Sequence, residues 1–309
     1  KSPYFVIEAD EYDTAFFDKR SKFVHYNPRT LIINNIGFDH ADIFEDLKAI
    51  QRQFHHMIRT IPNNGRILSF AGEQSVEQTL AMDCWSECQY VGKDQEWYAE
   101  RITHDCTEFA VFHKGKKVAE VHWNIVGEHN MRNGLIAVAA AYHAGVSIQK
   151  ACEALGSFIN AKRRLEVKGN IHDITVYDDF AHHPTEIAAT IKAAKSLEDH
   201  RVVILFQPHR YSRTKLLLRE FGTAFKEADL VFITDIYSAG EKPEAGIDGM
   251  SIPLMIKELT GKEVHYVADV NTLPETVLEF IQPNDLVITM GAGNINQFGP
   301  KLLALLEEK

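Results

Sequence analysis

Several short stretches gather side chains that could do chemistry. Glu8, Asp10, Glu11 and Asp13 put four carboxylates in six residues, directly after the apolar run Tyr4, Phe5, Val6 and Ile7. Carboxylates packed that closely repel one another unless a cation sits among them; a solvated acidic turn is the plain alternative. Asn34, Asn35, Gly37, Asp39 and His40 leave a second apolar run. Neutral imidazole binds divalent ions, so His40 is either a metal ligand or simply hydrogen-bonded. Asn130 and Asn133 lie three apart at a helix start. An asparagine donates and accepts at once, which suits the edge of a purine; an N-cap with a surface asparagine would look the same. Lys162, Arg163 and Arg164 form either a bidentate phosphate clamp or a solvated linker. Asp178, Asp179, His182 and His183 fall within six residues between a strand and a helix. His209, Arg210 and Arg213 follow the next strand and offer positive charge to a carboxylate. The turn Met290, Gly291, Ala292, Gly293, Asn294 is too short for a dinucleotide fingerprint.

These groups need a scaffold, and the apolar pattern supplies one. Residues 4–9 read as a buried strand and residues 30–36 as a second. Leu47, Ile50, Phe54, Met57, Ile58 and Ile61 recur at helical spacing until Pro62 and Gly65 stop them. Residues 66–70 resume a strand, and 108–123 alternate about Gly115 as an antiparallel hairpin. A helix over 130–143 closes at Gly145, and Ser147 caps another that ends near Gly156. The pattern then restarts. Short apolar strands at 174–177, 202–206, 230–234, 264–267 and 286–290 alternate with helices, including 186–197 and 215–226. Strands with no polar face, separated by amphipathic helices, predict a parallel sheet covered on both sides. The boundary between two α/β domains is expected near residue 161. Ligands of open α/β sheets bind at the carboxyl ends of the strands, where the polar stretches fall.

The 309 residues are 45% hydrophobic and 25% charged, with a formal net charge of −10. Collagen-like, disordered and disulfide-scaffold classes are excluded by that composition. At this length two domains are expected rather than one. The longest apolar run, near 135–142, is too short to span a bilayer, and the acidic balance argues against nucleic acid as a partner. Cys84, Cys88, Cys106 and Cys152 show no CxxC spacing and no secretory signal precedes them. They read as free thiols of a cytoplasmic protein. Cys84 and Cys88, four apart, would share a metal only if they lay on one helix face. The first residue is Lys1, and the reading is of a chain that begins in the middle of a fold.

Taken together and in this order, the stretches resemble the Mur ligase family of ATP-dependent peptidoglycan amide ligases. The segments that carry the resemblance are YFVIEADEYDTAFFDKRSKFVHYNPRT, GEHNMRNGL, GSFINAKRRLE, FQPHRYSRT, TDIYSAGEKPEAGIDG and MGAGN. They extend over nearly the whole chain. The resemblance implies part of a P-loop-type central ATPase domain over 1–160 and a Rossmann-like C-terminal domain with a mainly parallel sheet over 161–309. Neither the family's phosphate loop, of the type GxxGK[ST], nor its sugar-nucleotide domain is in the sequence. Both are expected upstream of Lys1, so this stretch alone is not expected to catalyse the full reaction. The first half, with its long segment 16–28, resembles the branch that recycles cell-wall peptides, and Phe180 further on stands where the L-alanine branch usually has tyrosine. The C-terminal segments look more like the branch that adds L-alanine.

The resemblance implies ATP-driven amide formation on UDP-N-acetylmuramate through an acyl phosphate. The amine it implies is L-Ala-γ-D-Glu-meso-diaminopimelate, with L-alanine as the alternative. It makes Glu8 and His40 ligands of Mg²⁺ and gives Asn130 and Asn133 to adenine. Arg164 and Asp179 are expected to reach ATP, and His183, His209, Arg210 and Arg213 to position the amine substrate. Rival classes make different demands. A dinucleotide oxidoreductase would need a GxGxxG segment, which is missing. A metallohydrolase would use Asp178, Asp179, His182 and His183. A non-catalytic binding domain would need neither. Several family members carry a carbamylated lysine on the helix after the metal-binding histidine. Here that helix reads Gln53, Phe54, His55, His56, and His55 is expected to stand in its place. Accordingly, His55→Ala in a protein of full family length is expected to impair Mg²⁺-dependent turnover, measured as phosphate release; unchanged kinetics would remove His55 from the catalytic set.

Overall fold

The computed structural model describes residues 3–13, 18–38, 43–197 and 200–308. The chain divides into two α/β units, each with its own sheet. One comprises residues up to 103, 107–124 and 130–158; the other comprises 104–106, 125–129 and 159 onward.

In the first unit the sheet runs β1 (Thr30–Ile33), β2 (Arg66–Phe70), β3 (Glu87–Val91), β4 (Trp97–Arg101), β5 (Glu108–His113) and β6 (Lys116–His122), in that spatial order. The pairs from β1 to β4 are parallel. The last three strands form an antiparallel meander. Its helices are α1 (Leu47–Ile58), α2 (Gln74–Leu80), α3 (Glu128–His143), apart from its first two residues, and α4 (Ile148–Gly156). Asp46 starts α1 by accepting the Ala49 N–H at 2.7 Å, which satisfies one of the donors a helix start leaves open. The periodic face of α1 buries Ile50, Met57 and Ile58 against Ile33 and Ile67. Ser147 caps α4 from the Lys150 N–H.

The second unit holds β7 (Glu166–Ile171), β8 (Ile174–Asp179), β9 (Arg201–Phe206), β10 (Leu230–Thr234), β11 (His265–Val267) and β12 (Asp285–Met290). Its sheet order is β11-β10-β9-β12-β8-β7. All pairs are parallel except β7 with β8. Every residue of β12 is buried. Two apolar clusters explain the absence of polar alternation. One includes Ile187, Ile204, Phe221 and Ile288, the other Val203, Val287, Phe298 and Leu302. Alternate residues of one strand therefore meet different helical layers. The helices are α5 (Pro184–Lys195), α6 (Tyr211–Leu216), α7 (Leu218–Ala224), α8 (Ser251–Thr260), α9 (Leu273–Leu278) and α10 (Phe298–Glu307). No helix among the described residues is long and apolar enough to cross a membrane.

Two expectations are corrected, and one open alternative is closed. Residues 4–9 form no strand; Phe5 is 86% and Val6 93% exposed. An apolar run becomes a strand only where a neighbour completes its hydrogen-bond ladder, and no described strand pairs with this one. The helix expected over 215–226 is two short helices broken at Leu217, whose φ of −107° and ψ of 21° leave the helical region. Cys84 and Cys88 do not share a helix face: Cys84 lies in a loop and Cys88 in β3, with their sulfurs 3.4 Å apart. Burial, reinforced by Cys84, pushes the Cys88 thiol up to about 12, so the free thiol is protonated at neutral pH.

Asp285, 1% exposed at the start of β12, receives Arg201 Nε at 2.9 Å and Nη2 at 2.7 Å, and the Gln282 N–H at 2.9 Å. Removing that carboxylate strands several donors at once. Asp285→Ala is expected to lower unfolding free energy by about 2–3 kcal/mol in chemical denaturation; a loss under about 0.5 kcal/mol, the level of ordinary surface substitutions, would contradict this account.

Candidate functional site

The carboxyl ends of β8, β9, β10 and β12 carry the polar content of the second unit. The path of the chain explains why they form a crevice. From β8 it steps over one position to β9, moves outward through β10 and β11, and returns as β12 between β9 and β8. Loops leaving the sheet on either side of β12 therefore diverge, and this is the switch point at which such sheets bind ligands.

A turn over residues 163–165 is tied into this edge. Arg163 and Leu165 adopt positive φ values of 60° and 44°. Arg163 Nε donates to Asp178 Oδ2 at 2.8 Å, and its Nη2 to the Gly291 carbonyl at 2.6 Å. Its guanidinium also lies over the Phe180 ring, 4.8 Å from the centroid. Asp178 takes a further bond from Thr289 Oγ1 at 2.8 Å. Asp179 accepts the N–H groups of Leu165 and Ala181, each at 2.8 Å. Burial raises the Asp179 carboxyl above its usual range, against the pull of those two donors. Asp178 and Asp179 thus both hold the turn in place. Arg164 is left half-exposed, 4.0 Å from Glu186. His129 is held below its ordinary pKa by burial and by the Arg164 charge.

His183 begins α5. Its Nδ1 accepts the Thr185 N–H at 3.3 Å, and Glu186 accepts the His183 N–H in return. His182 donates from Nδ1 to the Phe180 carbonyl at 2.9 Å. Its ring lies 6.1 Å from that of His209, which stacks on Tyr237 at 5.7 Å. Three strand ends thus bring three rings into line. Backbone bonds hold the last two together: the Arg210 N–H to the Tyr237 carbonyl at 2.9 Å and the Tyr237 N–H to the Pro208 carbonyl at 2.8 Å. Arg213 Nη1 meets His209 Nδ1 at 3.2 Å. A guanidinium only donates, so that nitrogen is an acceptor and the imidazole is neutral. Burial, then the charges of Arg213, His182 and Arg210, depress the His209 pKa to about 4, with Glu241 opposing. Arg210 lies 3.9 Å from Glu241.

The glycine turn after β12 closes the crevice. A Cβ on Gly291, at φ 144°, would fall 2.7 Å from the Gln207 carbonyl oxygen, and one on Gly293 would collide with Gln207 Oε1 and the Tyr237 ring. Only glycine allows that approach. Gln207 and Asn294 fall inside stretches picked out from sequence but were given no role there, and neither Tyr237 nor the structural role of Arg163 was singled out. They come from separate strand ends, and no spacing within one segment announces them.

In the first unit, Asn34 Nδ2 donates to Asn133 Oδ1 at 3.5 Å, at the carboxyl end of β1. Arg132 bonds Glu73 at 2.9 Å and covers the Phe70 ring at 4.2 Å, just beyond β2. Asn130 and Asn133 both lie in the first two turns of α3. His55 Nε2 is buried with no partner among the described residues. Glu8 is exposed and His40 lies outside the described residues. No group of three or more His, Cys, Asp or Glu side chains gathers as a metal site among the described residues. The set Asp178, Asp179, His182 and His183 that a metallohydrolase would use is therefore not gathered as one.

Fold and site define a two-unit α/β protein that presents charged, amide and aromatic groups at the carboxyl ends of parallel strands. Residues 1–141 match the Mur ligase middle domain and residues 163–293 the Mur ligase glutamate ligase domain. The chain belongs to the Mur ligase family. It is 52% identical over 315 residues to the UDP-N-acetylmuramate–L-alanyl-gamma-D-glutamyl-meso-2,6-diaminoheptandioate ligase of Haemophilus influenzae, covering 100% of this chain and 66% of the relative. It is 36% identical to a UDP-N-acetylmuramate–L-alanine ligase of Caldanaerobacter subterraneus, covering 98% of this chain and 65% of the relative. The crystal structure of a murein peptide ligase from Psychrobacter arcticus superposes with a TM-score of 0.69 at 36% identity, covering 99% of this chain and 63% of that one. The chain thus spans about two thirds of the length of the curated relatives it matches.

The depressed pKa of His209 gives a signed expectation. Between about 4 and 6.5 the unfolded chain binds a proton that the folded chain does not, so this residue's contribution rises with pH across that window and is lost as pH falls through it. His209→Asn is expected to flatten the rise of the melting temperature over that range in a thermal-unfolding pH series. An unaltered slope would show that His209 is not neutral in the folded state.

Proposed function

We propose that this chain supplies the central and C-terminal parts of an ATP-dependent amide ligase. It joins L-Ala-γ-D-Glu-meso-diaminopimelate to UDP-N-acetylmuramate in peptidoglycan recycling. The observation that carries this reading is the contrast in identity: 52% to a tripeptide ligase against 36% to an L-alanine ligase, each over nearly the whole chain.

In this reading the muramoyl carboxylate is activated by ATP as an acyl phosphate and then attacked by the amine. Asn130 and Asn133 hold adenine, supported by their position at the start of α3 beside Asn34. Arg164 contacts a phosphate of ATP; its half-exposed guanidinium, on a turn fixed by its neighbours, supports that role. Asp179 acts by fixing the same turn. Arg210 and Arg213 bind a carboxylate of the amine substrate as fixed cations, with His209 a neutral partner beside them and His183 at the head of α5. Glu8 and His40 are the residues that the family resemblance gives to Mg²⁺, which would neutralise charge on the transferred phosphoryl group.

A second reading, an L-alanine ligase, is favoured by the segment from Gln207 to Thr214 and by the glycine turn at 291–293, which resemble that branch. One measurement separates the two. A protein of the relatives' full length carrying this chain is supplied with ATP, Mg²⁺ and UDP-N-acetylmuramate, and phosphate release is compared with tripeptide and with L-alanine. Release with tripeptide at least about tenfold above that with L-alanine is expected, a difference of about 1.4 kcal/mol in the barrier. Release with L-alanine alone would reverse the assignment.

A further inference from the structure

Gln207 and Asn294 close the crevice of the second unit from two sides. Gln207 follows β9 and is 4% exposed; Asn294 ends the glycine turn that follows β12. The Gln207 N–H donates to the Met290 carbonyl at 3.1 Å, so the two loops are stitched together where they leave the sheet. Gln207 Oε1 lies against Gly293, the residue before Asn294. Both Gln207 Oε1 and Asn294 Oδ1 are buried and receive no donor from any described residue. Buried acceptors are nearly always satisfied in folded proteins, because an unsatisfied one costs stability. Two such oxygens at the carboxyl edge of a parallel sheet, beside the stacked rings of His209 and Tyr237, mark a place where an incoming group supplies the donors.

The neighbouring charges define that group. Arg213 and Arg210 lie on the His209 side, so a carboxylate or peptide carbonyl belongs there. A fixed cation nearby disfavours a protonated amine. An amine held close to these arginines is therefore biased toward its free base, which is the nucleophilic form. Uncharged carboxamide oxygens accept its N–H bonds without restoring the proton, as a carboxylate in the same place would tend to do.

We infer that Gln207 Oε1 and Asn294 Oδ1 are the acceptors that orient the primary amino group of an amino acid or peptide for attack, and so select primary over N-alkylated amines. This rests on the amide-ligase reading above and deepens it.

The test uses the protein at its relatives' full length. With Gln207→Leu, the KM for the amine is expected to rise about tenfold or more, the loss of one buried hydrogen bond to the substrate. The KM values for ATP and UDP-N-acetylmuramate are expected to stay level. The melting temperature is expected to hold or rise, because an unsatisfied acceptor has been replaced by an apolar group of similar size. N-methylation of the amine substrate is expected to cost the wild type more than the variant. An unchanged amine KM overturns the inference. So does a fall in melting temperature with all three KM values moving together, the behaviour of carboxamides that bond each other. If Gln207→Leu does not fold, Asn294→Ala is read by the same criteria. If the wild type releases phosphate with neither amine, the ligase reading fails by itself. The inference is then decided by the side-chain amide NMR signals of Gln207 and Asn294 on titration with L-alanine and with tripeptide: a shift supports it and none overturns it.

Discussion

One guanidinium organises the second unit's edge. Arg163 lies on the turn that precedes β7, its Nε binds Asp178 at the end of β8, and its Nη2 binds the carbonyl of Gly291 beyond β12. Asp178 is almost fully buried, and an ion pair in such a place survives only when its remaining hydrogen-bonding capacity is met. Thr289 meets it from the adjacent strand. Asp179 continues the arrangement by binding the backbone on both sides of the crossing. Three segments distant in sequence are therefore fixed to one another by charge and backbone donors before any ligand arrives. The rings, arginines and carboxamides of the crevice inherit their positions from that frame.

The legible and illegible parts of the fold divide along a physical line. Strands β9, β10 and β12 were readable because both faces are buried, so their apolar runs are continuous and bounded by turns. β3, β4 and β7 were not picked out, because each is only partly buried and carries mixed residues, β3 and β4 in the middle of their sheet and β7 at the edge of its own. The run at residues 4–9 misled for the converse reason: hydrophobicity reports a tendency to be covered, while a strand requires a partner. α1, α4 and the β5–β6 hairpin were readable from local signals, namely a cap, a period and a glycine turn. The break at Leu217 had no local signal, since neither glycine nor proline lies there.

The site divides similarly. His209, Arg210 and Arg213 stood out because one segment carries all three, and the structure keeps them together. Asp178 and Asp179 also stood out, and their carboxylates accept from Arg163, Thr289 and backbone donors. Dense polar content at a strand end signals that something is bound there, without saying whether it is a ligand or the protein's own backbone. Gln207, Tyr237 and Asn294 meet only because the chain returns β12 between β9 and β8. That juxtaposition is a property of topology and cannot be read from any window of sequence.

The two glycines of the turn after β12 have a consequence for how this crevice diversifies. At Gly291 and Gly293 any side chain would strike Gln207 or Tyr237, so the backbone there forms a floor that admits no substituent. Change of ligand preference within this architecture is thereby channelled to the walls, where a ring or an arginine can be exchanged without moving the main chain. A family built on such an edge can vary what it accepts while the depth at which the ligand rests stays constant.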